Sequence, residues 1–97
     1  MLRELCVEDW LAHLQQDYTL YLSAERTVEL RLTNVTPLSA HDGYERQPYS
    51  LEFTGPLKPL LPQSTYKLQN ESMGELDIFI VPIGPRGQAM YYEAIFT

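Results

Sequence analysis

Positive charge is scarce in this chain: seven Lys and Arg stand against thirteen Asp and Glu, for a formal net charge of −6. The seven are Arg3, Arg26, Arg31, Arg46, Lys58, Lys67 and Arg86, and no two are adjacent. A nucleic-acid partner needs a basic patch to neutralise phosphates, and an anionic membrane surface attracts clustered Lys and Arg. Neither partner is expected. Cysteine is nearly absent too. Cys6 is alone, so no internal disulfide forms, and a reduced cytoplasmic setting is expected, with export by a signal-free route left open. No apolar run approaches the ~20 residues of a membrane span. The segment Met1-Leu2-Arg3-Glu4-Leu5-Cys6 lacks an apolar stretch followed by a small-residue cleavage site, so it does not read as a secretory leader. With only five Gly and seven Pro, disorder and fibrous repeats are excluded.

What is present is ordinary globular material. A chain of 97 residues makes one domain, 1–97, and 44% hydrophobic residues supply a small core. Seven Tyr and three Phe favour strands, where flat side chains fit a half-buried pleated surface.

Val7, Trp10, Leu11 and Leu14 recur at i, i+3, i+4 and i+7, which predicts a short amphipathic helix over about residues 5–15. Glu8 and Asp9 suit the positive end of its dipole. So short a helix must be held by packing its Trp10 face on a sheet. From Asp17 the period changes to two. Tyr18, Leu20 and Leu22 alternate with polar positions, as do Val28, Leu30 and Leu32, which predicts an antiparallel pair. Residues 36–48 read as the longest loop. Tyr49, Leu51 and Phe53 mark a third strand, and Thr65-Tyr66-Lys67-Leu68 a fourth, after a connection carrying Pro56, Pro59 and Pro62. Gly74 is the expected positive-φ residue of the next turn. Leu76 to Ile83 form the fifth strand, and Gly84-Pro85-Arg86-Gly87 lead into the sixth, Ala89 to Phe96. The fifth carries Leu76, Ile78 and Ile80 on one face and Phe79, Val81 and Ile83 on the other, which predicts cover on both sides.

The C-terminal half also carries a recognisable block: Phe53-x-Gly55-Pro56, Leu61-Pro62-Gln63-x-Thr65-Tyr66-x-Leu68, Gly74, Phe79-x-Val81-Pro82-Ile83-Gly84 and Tyr92-Glu93-Ala94-x-Phe96. It resembles a family of short bacterial proteins classed as a domain of unknown function. There the block reads Leu-Pro-Gln-Gly-Thr-Tyr, then a Val-Pro-Ile-Gly run, then Tyr-Glu-Ala-Val-Phe; here Ser64 stands in place of the usual Gly. The resemblance covers about residues 49–97 and the N-terminal half by pattern alone. It implies a small standalone bacterial protein near phage-tail-like or cell-surface collar proteins, and it supplies no catalytic residues.

Chemistry-bearing residues are few. Cys6 and His13 share a helical face but lie ~10.5 Å apart along the axis at 1.5 Å per residue, too far for a nucleophile and its base. The plainer reading is a small packed thiol and a surface imidazole. His41-Asp42-x-Tyr44-Glu45 offers one preferred zinc ligand, and the twelve-residue calcium pattern is absent; a solvated loop with an Asp42-Gly43 turn is the simpler account. Gly84-Pro85-Arg86-Gly87 lacks the Lys-Ser/Thr ending of a phosphate loop. Glu93, with Asp77 as a second carboxylate and Tyr92 beside it, outlines a glycosidase-like mouth. Against it stands the exposed strand Glu paired with Lys67 or Arg86. The tyrosines Tyr18, Tyr21, Tyr44, Tyr49, Tyr66, Tyr91 and Tyr92 outline a platform for a sugar or base. They fit better as residues divided between core and protein interface.

The sequence therefore predicts an α+β domain, mainly antiparallel β, with one N-terminal helix packed on about six strands curled into a half-barrel or roll. Its expected role is a non-enzymatic interaction module without metal or cofactor, whose partner is another protein or a second copy. Phe79, Val81, Ile83 and Tyr91 are the contact residues, with Tyr21 as an outlying candidate. The alternative is a ligand-binding or hydrolytic small barrel built on Glu93, Tyr92 and Asp77.

Overall fold

The alternation that begins at Asp17 closes on itself. The computed structural model describes residues 5–39 and 47–96. Its elements are α1 (Val7–Leu11), β1 (Asp17–Tyr21), β2 (Thr27–Pro37), β3 (Tyr49–Gly55), β4 (Ser64–Asn70), β5 (Gly74–Arg86) and β6 (Ala89–Phe96). All neighbouring strands are antiparallel, in the order β1-β2-β3-β6-β5-β4, and β4 returns to β1 through Thr19↔Gln69, Leu20↔Leu68 and Tyr21↔Lys67. The mainly antiparallel fold of one N-terminal helix and six curled strands that the pattern predicts is what forms, with the curl carried beyond a half-barrel to a closed six-stranded barrel. Alternation reports which face of a strand is dry; it carries no information on whether the first strand meets the fourth.

Two long strands make closure feasible. β2 pairs with β1 over residues 27–31 and with β3 over 31–37. β5 pairs with β4 over 74–80 and with β6 over 81–86. Each is a corner shared by two sheets, the arrangement of orthogonally packed sheets whose strands pass from one to the other. Register slips mark both corners, between Leu32 and Asn34 on β2 and between Pro82 and Gly84 on β5. At the second slip Gly84 takes φ +118, a conformation that side-chain-bearing residues rarely adopt. Gly74, at φ +77, is the positive-φ residue of the β4–β5 turn, as its position predicts.

A barrel this narrow has its interior filled by side chains. Leu20, Leu30, Leu32, Leu51, Phe53, Leu68, Ile78, Ile80 and Tyr92 are all buried there. One end is plugged by α1. Trp10 is fully buried and donates its Nε1–H to Tyr49 Oη at 2.8 Å, with ring centroids 5.8 Å from Phe96 and 6.3 Å from Tyr18. Tyr49 stacks on Phe96 at 5.1 Å, and Tyr18 meets Phe53 edge-on at 5.4 Å. Asn70, also buried, ties the β4–β5 turn to the start of β1: its Oδ1 accepts the Ser72 and Met73 N–H groups, and its Nδ2 donates to Gln16 Oε1 and the Asp17 carbonyl. The other end is closed by the β3–β4 connection, where buried Leu61 donates its N–H to Tyr92 Oη at 3.0 Å.

The helix is shorter than its stripe. It spans Val7–Leu11, and only Val7 and Trp10 are buried on it. After Leu11 the chain tightens into i→i+3 bonds, His13 to Trp10 and Leu14 to Leu11, and Gln15 turns it into β1 at φ 67. That turn rotates Leu14 off the buried side, and Leu11 and Leu14 are exposed.

Replacing Trp10 by Ala is expected to cost about 3–5 kcal/mol, as for other large aromatic truncations, read from urea denaturation followed by circular dichroism. Tyr49→Phe, which strips the Trp10 N–H of its acceptor, is expected to cost about 1–3 kcal/mol. Wild-type tryptophan emission at the fully solvated wavelength would contradict the plug. A second test is alkaline. Burial raises the Tyr18 phenol from about 10 to about 12, while its hydroxyl donates to Met73 Sδ. A raised folded pKa means stability intact below the unfolded value near 10 and lost as pH rises toward about 12. Tyr18→Phe should remove the latest tyrosinate step from an ultraviolet titration and flatten that loss. An unchanged titration would show that Tyr18 ionises like its neighbours.

Candidate functional site

On β5 the pleat sends Ile78 and Ile80 inward and Phe79 and Val81 outward. The outward pair is not covered. Phe79 is 50% exposed and Val81 half-buried, while Ile83, carried out by the slip beside Gly84, is 38% exposed. Among the described residues the core covers one face of this strand. Helix α1 is the one helix among the described residues, and it packs at the barrel end.

β6 extends the same surface. Its inward residues are Met90, Tyr92 and Ala94, so Tyr91, Glu93 and Ile95 point out. Val81 lies opposite Glu93 where the β5–β6 ladder ends, and Ile95, two residues further along β6, is 58% exposed. Ile95 was not among the predicted contact residues. Its signal is its odd phase in the Tyr92/Ala94/Phe96 alternation, easy to miss in a strand that is apolar almost throughout. Tyr91 is half-buried for a different reason: the Arg86 guanidinium lies 4.5 Å over its ring and binds Glu52 at 3.2 Å. Tyr21 stands apart, on β1 beyond β4, with its hydroxyl donated to Gln69. Phe79, Val81 and Ile83 thus lie on the outer side of β5, Ile95 is exposed on neighbouring β6, Tyr91 sits under its own cation, and Tyr21 is elsewhere.

The residues of the alternative mouth are not brought together. Tyr92 is inside the barrel, fully buried and engaged with Leu61, whereas Glu93 and Asp77 point outward. Glu93 is level with Val81, four residues along β5 from Asp77. At 3.3 Å per residue that is about 13 Å, beyond the ~5–9.5 Å that paired glycosidase carboxylates span. Neither Lys67 nor Arg86 pairs with Glu93; they bind Glu75 and Glu52. The tyrosine platform is likewise dispersed: Tyr18, Tyr49 and Tyr92 face the interior, while Tyr21, Tyr66 and Tyr91 lie half-buried on different strands. The His41-Asp42-x-Tyr44-Glu45 set lies outside the described residues, and among the described residues no three His, Cys, Asp or Glu side chains converge as metal ligands. A depression of about 400 Å³ at the helix end is lined by Gln15, Gln16, Asp17, Asn70, Glu71 and Ser72. The hydrogen bonds of Asn70 and Gln16 there hold the fold together. No described helix is long and apolar enough to cross a membrane.

Cys6 and His13 do not meet. Cys6 is the N-cap of α1: its N–H donates to Asp9 Oδ2 at 2.8 Å, and its thiol lies 3.4 Å from the same oxygen. His13 Nδ1 is instead 3.1 Å from Gln16 Oε1. Hydrogen bonding of the thiol to the Glu8 carboxylate, and to that of Asp9, raises the Cys6 pKa above its ordinary value. A raised pKa leaves less thiolate at neutral pH. Cys6 is expected to alkylate more slowly than a free thiol at neutral pH, with its pH–rate midpoint displaced upward. Faster alkylation, abolished by unfolding, would point to an activated thiol.

No curated protein and no solved structure matches the chain. A family profile, described as a domain of unknown function (DUF6916), matches residues 5–96. The chain, almost from end to end, belongs to that family.

Proposed function

We propose that this domain is a non-enzymatic interaction module that binds another protein, or a second copy of itself, through the outer face of β5 and β6. The observation that carries this reading is the apolar run on the outer side of β5, where Phe79 is 50% exposed, Val81 half-buried and Ile83 38% exposed, with Ile95 58% exposed on neighbouring β6. Single exposed apolar residues are commonplace on soluble domains, whereas contiguous ones mark contact surfaces. Supporting it, the barrel interior is filled by side chains, and the chemistry-bearing residues of the described chain are scattered or engaged with one another. The family resemblance supports a finer version, in which the module is an accessory of a phage-tail-like or cell-surface assembly.

Strand-edge addition, the other mode an antiparallel sheet offers, is less well supported. Closure of β4 on β1 shortens the free edges that a half-open sheet would present, and past residue 80, where β5 has no β4 partner, it carries Pro82 and Pro85, which lack the N–H a ladder needs. Side-chain contact on the outer face is the mode proposed.

Site-specific photocrosslinking in cells that naturally express the protein tests this. A photoreactive residue at Phe79 or Ile95 should give adducts of defined mass, and one at Glu29, exposed on β2, should not. Val81→Glu points outward and should leave the circular dichroism spectrum intact while abolishing the adducts. No adduct from either position, or equal adducts from Glu29, would refute the surface. Loss of folded signal in Val81→Glu would show instead that Val81 belongs to the core.

A further inference from the structure

Resting on that reading, we infer that the partner is not a second copy but a protein segment that sets an apolar side chain between two Lys or Arg residues. The carboxylates around Phe79 and Val81 carry the argument. Asp77 lies two residues before Phe79 on β5, and Glu93 lies two residues before Ile95 on β6, opposite Val81. All four other charged groups of this surface are already paired: Lys67 with Glu75 at 3.7 Å, and Arg86 with Glu52 at 3.2 Å. Asp77 and Glu93 make no ion pair or hydrogen bond among the described residues, although Lys67 stands opposite Asp77 in the ladder. The exposed hydrophobic strip is therefore flanked by two carboxylates without an ion pair, Asp77 before Phe79 and Glu93 beside Val81.

Such a strip is complementary to cations and hostile to its own copy. In a two-fold dimer the same patch meets itself, so each Asp77 and Glu93 would approach those of the other chain, and each chain already carries a net charge of −6. The spacing defines the complementary ligand. Asp77, Phe79 and Val81, with Glu93 level with the last, step along β5 two residues at a time, about 13 Å in all at 3.3 Å per residue. An extended segment with basic residues at i and i+4 and an apolar residue at i+2 repeats those steps on one face. Its apolar side chain meets Phe79, and its two cations meet Asp77 and Glu93.

Two measurements decide it. Sedimentation of the intact protein at low ionic strength should give a monomer across the micromolar range. A dimer that Phe79→Glu dissociates would mean the face docks a second copy: the surface reading would stand and the cationic partner would fall. Then the isotope-labelled protein is titrated with two synthetic peptides, Lys-Thr-Leu-Thr-Lys and Glu-Thr-Leu-Thr-Glu, each capped at both ends, up to millimolar concentration. The Lys peptide should shift amide resonances of residues 77–81 and 93–95, and more weakly as salt is raised. In the Asp77→Asn/Glu93→Gln variant, whose altered groups are unbonded and outward, its affinity should fall about three- to tenfold, the scale of two exposed ion pairs. Equal shifts from the Glu peptide at the same residues would overturn the charge requirement and leave the surface. Shifts elsewhere, or none from either peptide, would overturn both.

Discussion

Everything in this fold depends on two strands being asked to pair twice. β2 and β5 each serve two different partners along their length, and the short β4–β1 ladder can close the ring only because both turn corners. Closure then sets the interior. Inward residues of all six strands face a common axis, and what remains open is the two ends. A five-residue helix is sufficient for one of them because its task is to deliver a single side chain, Trp10, together with a partner for its N–H. A tryptophan buried without that partner would forfeit much of what its burial contributes. Tyr49 thus performs two tasks, stacking on Phe96 and accepting from Trp10. The opposite end repeats the device with a backbone donor, Leu61, and a buried phenol, Tyr92.

The same economy explains where the apolar surface lies. Helix α1 is consumed at the barrel end, and the β3–β4 connection at the other, so among the described residues no element covers this part of the wall. Most of the wall is polar by alternation: Thr19 and Glu29 bond across β1 and β2, and Thr33 and Thr54 across β2 and β3. Phe79, Val81 and Ile95 break that rule on adjacent strands. A wall of otherwise regular alternation makes such a breach informative, since a fold that satisfies polar pairing on its other strands has no structural need for it.

Much of the architecture was legible in the residues. All six strands, the N-terminal helix, the burial of Trp10 and the positive φ of Gly74 follow from period, turn chemistry and proline placement. Three things did not follow, each because it depends on contacts distant in sequence. Closure needs β1 and β4 to meet. The length of β5 needs Pro82, Gly84 and Pro85 to be tolerated in a strand, which happens where the ladder slips and one edge has no partner. The fate of Leu11 and Leu14 depends on how the chain leaves the helix. On the surface, Phe79, Val81 and Ile83 were readable as a second apolar face, but whether that face was covered was not. Alternation gives a residue its side, not its neighbour.

On the proposed reading, the carboxylates beside Phe79 and Val81 are also where solubility and recognition coincide. An acidic chain with an uncovered hydrophobic strip on a flat wall is exposed to random self-association, and like charges set against the strip are the ordinary protection. Asp77 and Glu93 can provide it because each is left without a counter-ion while Lys67 and Arg86 are drawn to Glu75 and Glu52. A partner that supplies the missing cations turns the same two charges from repulsive to attractive, and gains the apolar contact in the same step. Discrimination then needs no deep pocket. In the proposed mode it comes from the difference between rejecting a second copy and accepting a basic segment, which is how specificity is built when binding area is small.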